Sequence, residues 1–288
     1  MDPVPLQQHP RFADALCAMG RTAEVLDLGC AGRAVLVRRR YPILGEVAYV
    51  PRGPIWATSD RCARAEAVER LCRAGVWLIE ADAPCPVLHD AGFRQVMTPA
   101  HAAELDLRVP TEERVRRLAP KWRGHLRQAQ RARMSLNWTT FDGDPRHWLL
   151  IREARQRRDR RYHALPQAFA SSYARVATDA ALILTASDAD GPVAGMLFLL
   201  HAPVVTYQIG WTGERGRQSS AHHLLLMEAA RRFAGMGLQR LDLGTLDTEG
   251  NPGLARFKIG AGAQVRALGG SWLRLPVPRR LASLRRRG

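Results

Sequence analysis

Two residues between Leu241 and Gly262 could carry acid–base or electrostatic chemistry: Lys258 and Asp242. The chain holds only two lysines, Lys121 and Lys258, among 43 basic residues. A desolvated lysine can be tuned toward neutral pH, and an arginine cannot. The run Leu241-Asp242-Leu243 alternates as the end of a half-buried strand, and Gly244 is expected to stop it. A polar loop follows from Thr245 to Gly250. Asn251 as cap and Pro252 at the first helical position then start a short helix that Gly260 and Gly262 close. On that helix Leu254 and Phe257 share the expected apolar face, Lys258 borders it and Arg256 points away. The spacing leaves two readings of Lys258: a tuned amine beside a buried stripe, or a snorkelling side chain that covers apolar surface. Of the nearby carboxylates, Asp242 at the strand end is the candidate general base. Asp247 and Glu249 are expected to shape the loop.

Cationic side chains gather at three further places. Arg52 stands in the rigid turn Pro51-Arg52-Gly53-Pro54-Ile55-Trp56, able to reach a phosphate or to cap carbonyls of its own turn. A helix from Lys121 to Ala132 puts Trp122, Leu126 and Ala129 on one face and Lys121, Arg123, Arg127 and Arg131 elsewhere. It is the best candidate for a phosphate-facing surface, against the plain alternative of a solvated charged face. The loop Thr212–Ser220, with Arg215, Arg217 and Ser219, leads into a helix from Ser220 to Ala234, an arrangement suited to anions.

The pattern DLGTLDTEGNPGLARFKIGAGA resembles the C-terminal signature of the Fem-type aminoacyltransferases. The turn YVPRGPIW and the run Leu105–Ala132 fit the same family. The resemblance covers the chain from about Ala34 to Trp272. It implies an α/β (α+β) fold of two tandem GNAT-like subdomains, with mixed sheets flanked by helices. It also implies aminoacyl-tRNA as acyl donor and the amine of a peptidoglycan precursor, a phosphate-containing cell-wall molecule, as acceptor. The wider GNAT group implies acyl-CoA instead. In GNAT enzymes the loop ahead of the helix holds the CoA pyrophosphate with a pattern like [RQ]-x-x-G-x-[GA]. Arg215-Gly216-Arg217-Gln218 departs from it, which leans toward tRNA. The resemblance assigns Lys258 to the ester carbonyl or the tRNA terminus, with Arg52, Lys121, Arg123 and Arg127 gripping phosphates. Asn251, Gly253 and Phe257 join Arg215, Arg217 and Ser219 as donor or substrate contacts. The helical arm of some family members is absent from the sequence.

These residues need a scaffold of alternating strands and helices. Helices are expected at Pro10–Met19, Asp60–Ala74 with Asp60 as cap, Thr111–Ala119 interrupted by Pro120, Pro145–Arg161 and Pro166–Ala177. Strands are expected at 27–37, 45–50, 76–80, 181–186, 192–201, 204–211, 238–243 and 265–275. The pattern predicts two subdomains, 1–135 and 136–288, the second a degenerate repeat of the first. The tail from Pro276 onward is basic and expected to be mobile.

The formal net charge is +16, and arginine-for-lysine replacement alone would not create it. It favours a polyanionic partner: tRNA, a phosphate-rich substrate or the surface of an anionic membrane. Five cysteines without CxxC spacing argue against a disulfide framework or a zinc site, and the N-terminus has no signal-peptide pattern. A cytoplasmic protein is expected. The sequence has no P-loop, GxGxxG fingerprint, GxSxG elbow or HExxH motif, so the expected enzyme holds no metal and no tightly bound cofactor. Its acyl donor, aminoacyl-tRNA or acyl-CoA, acts as co-substrate. A GNAT-like fold that only binds RNA or another polyanion is the non-catalytic alternative.

Overall fold

The computed structural model describes residues 3–42, 45–160 and 165–275. The first half runs α1 (Pro10–Ala18), β1 (Thr22–Asp27), β2 (Gly32–Tyr41), β3 (Gly45–Val50), β4 (Ile55–Trp56), α2 (Arg61–Arg73), β5 (Val76–Ala81), α3 (Val87–Asp90), β6 (Arg94–Met97), β7 (His101–Asp106), α4 (Thr111–Arg117) and α5 (Pro120–Arg131). The second runs β8 (Ser135–Thr140), α6 (Trp148–Arg160), α7 (Gln167–Val176), β9 (Ala181–Asp188), β10 (Gly191–His201), β11 (Val204–Thr212), α8 (Glu214–Gln218), α9 (Ala221–Gly235), β12 (Arg240–Leu246), α10 (Pro252–Gly260), β13 (Gln264–Ala267) and β14 (Gly270–Leu273). Among the described residues no helix is long and apolar enough to cross a membrane.

The strands form two mixed sheets, flanked by helices. One has the order β1-β2-β3-β5-β14-β6, with β4 beside β2; the other has the order β13-β7-β12-β11-β10-β9-β8. Each contains an antiparallel run that ends in a parallel pair, β3 with β5 and β11 with β12. A parallel pair requires a crossover, because the chain must return to the same end of the sheet. Here α2 makes one crossover, and α8 with α9 makes the other. This recurring unit is the internal repeat that the sequence led us to expect.

The repeats exchange one strand. β14, from the end of the chain, lies between β5 and β6. β7, from the first half, lies between β12 and β13. One compact unit therefore joins the chain up to Gly20 with His101–Ala267, and the other joins Arg21–Ala100 with the chain from Leu268 onward. These units replace the sequential division into 1–135 and 136–288. α5 belongs with the second half for the same kind of reason: Trp122 and Leu126 share one core with Leu225, Leu226 and Phe233 of α9. The other unit has its own core around Leu36, Val50, Leu71, Ile79 and Phe93.

Local signals act much as the residue types dictate. Asp60 caps α2, its Oδ2 accepting from the Ala63 N–H at 2.7 Å. Pro120 opens α5 as its first residue rather than interrupting a helix. Gly244 does not stop β12; the strand continues to Leu246 through a bulge between Asp242 and Thr245. The single strand expected at 265–275 is β13 and β14, which serve different sheets. The basic tail lies outside the described residues.

Candidate active site

The site is built where β12 bulges and α10 begins. Gly244 has φ +78, a conformation that favours glycine, and its N–H donates to Asp242 Oδ1 at 2.7 Å. Asp242 is 1% exposed, so its carboxylate anchors the bulge from inside. Asp247 Oδ1 accepts from the Gly250 N–H at 2.7 Å and shapes the next loop. Asn251 occupies the cap position of α10 without a side-chain capping bond.

Lys258 is 6% exposed, and its Nζ donates to the Thr245 carbonyl at 2.9 Å. A snorkelling lysine would keep its ammonium in water, so this is the tuned amine. Burial pushes its pKa down to about 8, opposed by the charge of Asp242. α10 is also turned relative to its expected face. Ala255 and Lys258 are buried and Leu254 is 42% exposed, which places Lys258 within the buried stripe rather than at its border.

α5 supports this arrangement. Trp122 Nε1 donates to the Phe257 carbonyl at 3.0 Å, and the Trp122 ring fits against Gly260, where an added Cβ would lie 2.9 Å from its Cδ1. His223 packs its ring 4.7 Å from Trp122 and 5.2 Å from Phe257, centroid to centroid, and stacks on His125 at 4.8 Å. Burial, reinforced by the neighbouring His125, pushes the His223 pKa down to about 4 and keeps it neutral. His125 Nδ1 lies 3.1 Å from the hydroxyl of Ser220, a buried residue with φ 58 just before α9. Gln128 accepts from that hydroxyl at 3.2 Å and donates to the Gln218 carbonyl at 2.7 Å. Sequence reasoning missed His125, Gln128 and Ser220; Ser220 stands 95 and 92 positions from its two partners along the chain. The only local signal was His222-His223. Those side chains diverge: His222 Nε2 donates to the Trp211 carbonyl at 2.9 Å, while His223 faces α5.

The remaining candidates separate into groups. Lys121 and Arg127 are exposed on α5, with Arg123 half-buried, while Trp122, Leu126 and Ala129 are buried. Phe257 and Asn251 are half-buried and Gly253 is exposed. The loop after β11 is wound into α8, and its polar groups are engaged within the loop or on the β9–β10 turn. Arg215 pairs with Asp188 at 3.1 Å and with Asp190; Arg217 Nη1 donates to the Thr212 carbonyl at 2.9 Å; the Ser219 hydroxyl donates to the Arg215 carbonyl at 2.8 Å. The backbone N–H groups of Arg217, Ser219, Ser220 and His223 bond to the carbonyls of Gly213, Arg215, Arg217 and Ser220. Arg52 lies in the other unit, in the turn after β3, with φ 48 and its Nε 3.0 Å from Asp82 Oδ1. Among the described residues no group of three or more His, Cys, Asp and Glu side chains is placed to hold a metal ion.

A family model described as an acetyltransferase (GNAT) domain matches residues 114–258, half of the chain, and its match ends at Lys258. The chain belongs to the GNAT family. It is an acyltransferase of that family, and the matched stretch includes the parallel pair β11 and β12, the α9 crossover and Lys258. Among solved structures, FemX superposes with a TM-score of 0.79 at 12% identity, over 97% of this chain and 94% of FemX. An Agrobacterium fabrum structure described as the C-terminal (DUF2156) domain of a lysylphosphatidylglycerol synthetase gives 0.61 at 13% identity, covering 97% and 92%. L-PGS from Bacillus licheniformis gives 0.57 at 15%, covering 94% and 89%. At these identities the likeness is one of fold. No curated protein shows significant sequence similarity to the chain.

Proposed function

We propose that this GNAT-family protein transfers an aminoacyl group from aminoacyl-tRNA to a primary amine, the acceptor being a phosphate-bearing cell-wall precursor. The observation that carries the reading is Lys258: a buried amine, fixed on the Thr245 carbonyl and tuned to a pKa of about 8. An aminoacyl ester is already activated, so no covalent enzyme intermediate is needed. The acceptor amine attacks the ester carbonyl, a C–N bond forms and the ester C–O bond breaks. The amine's proton leaves with the ribose oxygen. Lys258 in its charged form donates to the oxyanion of the tetrahedral intermediate, in a site shielded from water. Asp242, beneath it, holds the bulge and favours that charged form.

The state of the α8 loop supports tRNA as donor. A CoA pyrophosphate would need free backbone N–H groups before α9, and those of Arg217, Ser219 and Ser220 are already bonded within the loop. The net charge of +16 and the exposed Lys121 and Arg127 on α5 suit a polyanion. The fold neighbour described as a lysylphosphatidylglycerol synthetase is named for an aminoacylated product. One observation favours acyl-CoA as the second reading. β11 and β12 pair over only three residues, Val204 to Thr206 against Arg240 to Asp242, which leaves the rest of the strands open to an extended acyl arm.

Binding of labelled aminoacyl-tRNA and of acetyl-CoA to the purified protein, at two salt concentrations, tests the choice. Preference for charged over uncharged tRNA is the expected result. Binding of acetyl-CoA alone would establish the second reading and reject the first.

A further inference from the structure

Two histidines keep one ring nitrogen each uncommitted. His125 of α5 and His223 of α9 stack with 4.8 Å between centroids and 30° between planes. A chain of hydrogen bonds fixes where their protons sit. The Gln218 carbonyl can only accept, so the Gln128 amide turns its nitrogen to it at 2.7 Å and its oxygen to Ser220. The Ser220 hydroxyl has one proton and gives it to that oxygen at 3.2 Å. His125 Nδ1, 3.1 Å from the same hydroxyl, is therefore the donor in that contact. His223 Nδ1 is a donor as well, since its partner at 3.3 Å is the Ser220 carbonyl. Each neutral ring thus carries its proton at Nδ1 and a lone pair at Nε2. Among the described residues neither Nε2 makes a hydrogen bond or is sealed from solvent, and both histidines are half-buried.

Amide formation leaves one task without a group. The attacking amine has to lose a proton as its C–N bond forms. Asp242 is sealed at 1% exposure, with Oδ1 held by the Gly244 N–H, and a charged Lys258 has no lone pair. The imidazole pair adjoins the site: the His223 ring lies 5.2 Å from that of Phe257, the residue before Lys258. Charge on one ring opposes charge on the other, so the pair takes up a single proton, and burial turns that proton away from His223. We propose that His125 is the proton carrier of the transfer reaction, with His223, Ser220 and Gln128 as positioning residues that hold its Nε2 bare. The inference rests on the transfer proposed above. Nε2 takes a proton from the amine nitrogen as the C–N bond forms. When the C–O bond breaks with its electron pair on the ribose oxygen, the imidazolium returns that proton to the oxygen, and the enzyme ends as it began. The titratable groups around the pair are His222 on α9, Lys258 on α10 and, one turn before His125 on α5, Lys121. Because His125 starts neutral, the acid side of the rate profile belongs to it and the basic side to Lys258.

Two measurements test this, one of them independent of activity. Nitrogen-15 NMR of the full chain labelled at histidine reads the tautomers. Both rings are expected with the proton at Nδ1, and Gln128→Leu, an exposed change, should free His125 to exchange between forms. The second measurement is transfer from aminoacyl-tRNA to a soluble peptidoglycan-precursor peptide with a free lysine amine. His125→Ala should lower kcat by about 10²-fold or more with binding of the charged tRNA unchanged, and imidazole added to the buffer should restore part of the rate. His125→Gln fills the same space and still donates to Ser220 but accepts no proton, so it should be as slow as His125→Ala. The proposal is overturned by a His125→Gln protein that works at the parental rate, by a slow His125→Ala protein that imidazole does not revive, or by a bare Nδ1 on His125. A parent protein that transfers to no amine would reject the transfer reading, and the carrier with it, even where the tautomers are as expected.

Discussion

Lys258 is an amine drawn out of water and left within reach of neutral pH. Its charged form is needed for oxyanion stabilisation, so kcat/KM should hold below pH 8 and fall as pH rises through about 8. Lys258→Met should lower kcat/KM by about 10²–10³ and abolish that limb, measured as a pH–rate profile with aminoacyl-tRNA. Stability should move with pH in a matching way. The folded pKa lies below the ordinary 10.5, so between pH 8 and 10.5 the unfolded chain binds the extra proton and the folded state gains. Over that window the parent should gain about 3 kcal/mol relative to Lys258→Met in urea unfolding. The sequence pointed to the residue but not to its environment. Helical spacing picked Leu254 and Phe257 as the buried face because they are large; Phe257 does pack, half-buried, against the core, but Leu254 is exposed and the fully buried positions are Ala255 and Lys258. Alanine carries little hydropathy, and close helix contact selects for small size. The His125–Ser220 contact had no sequence signal, since its partners meet only through tertiary packing.

At the scale of elements, α5 bridges α9 and α10 through Trp122 and His125. Gly260→Ala inserts a methyl group against the Trp122 ring and should destabilise the protein by about 1–3 kcal/mol, read as a lower urea midpoint. It should also reduce transfer, because the bond from Trp122 to the Phe257 carbonyl sets the position of Lys258 one residue on. α5 was legible because Trp122, Leu126 and Ala129 recur at helical spacing and all are buried. β7 was not. Its sequence HAAELD has two alanines among its buried residues and none of the β-branched side chains that mark a strand, although it lies in the interior of a sheet. β6 is exposed along its whole length and gave no alternation to read.

At the scale of the molecule, the surplus of positive charge predicts that binding of aminoacyl-tRNA weakens steeply with salt. The logarithm of affinity should fall linearly with the logarithm of salt concentration, and a flat line would remove the phosphate-gripping role of the arginines. The repeat itself could be read from the sequence, as the similar strand order of the two halves shows. The exchange of β7 and β14 could not, because it decides only which sheet receives a strand and leaves the local pattern unchanged.

That exchange makes the segment 21–100 depend on the strand that follows Ala267. A stop codon just after Ala267 would spare every strand of the sheet that carries Lys258. It would instead remove the strand between β5 and β6, leaving β6 without a neighbour and opening the edge of β5. Limited trypsin digestion of such a shortened protein should therefore cut first between residues 21 and 100, nearly two hundred residues upstream of the lesion, while the 101–267 portion persists as a resistant fragment. Loss of β14 would be felt at β5 and β6.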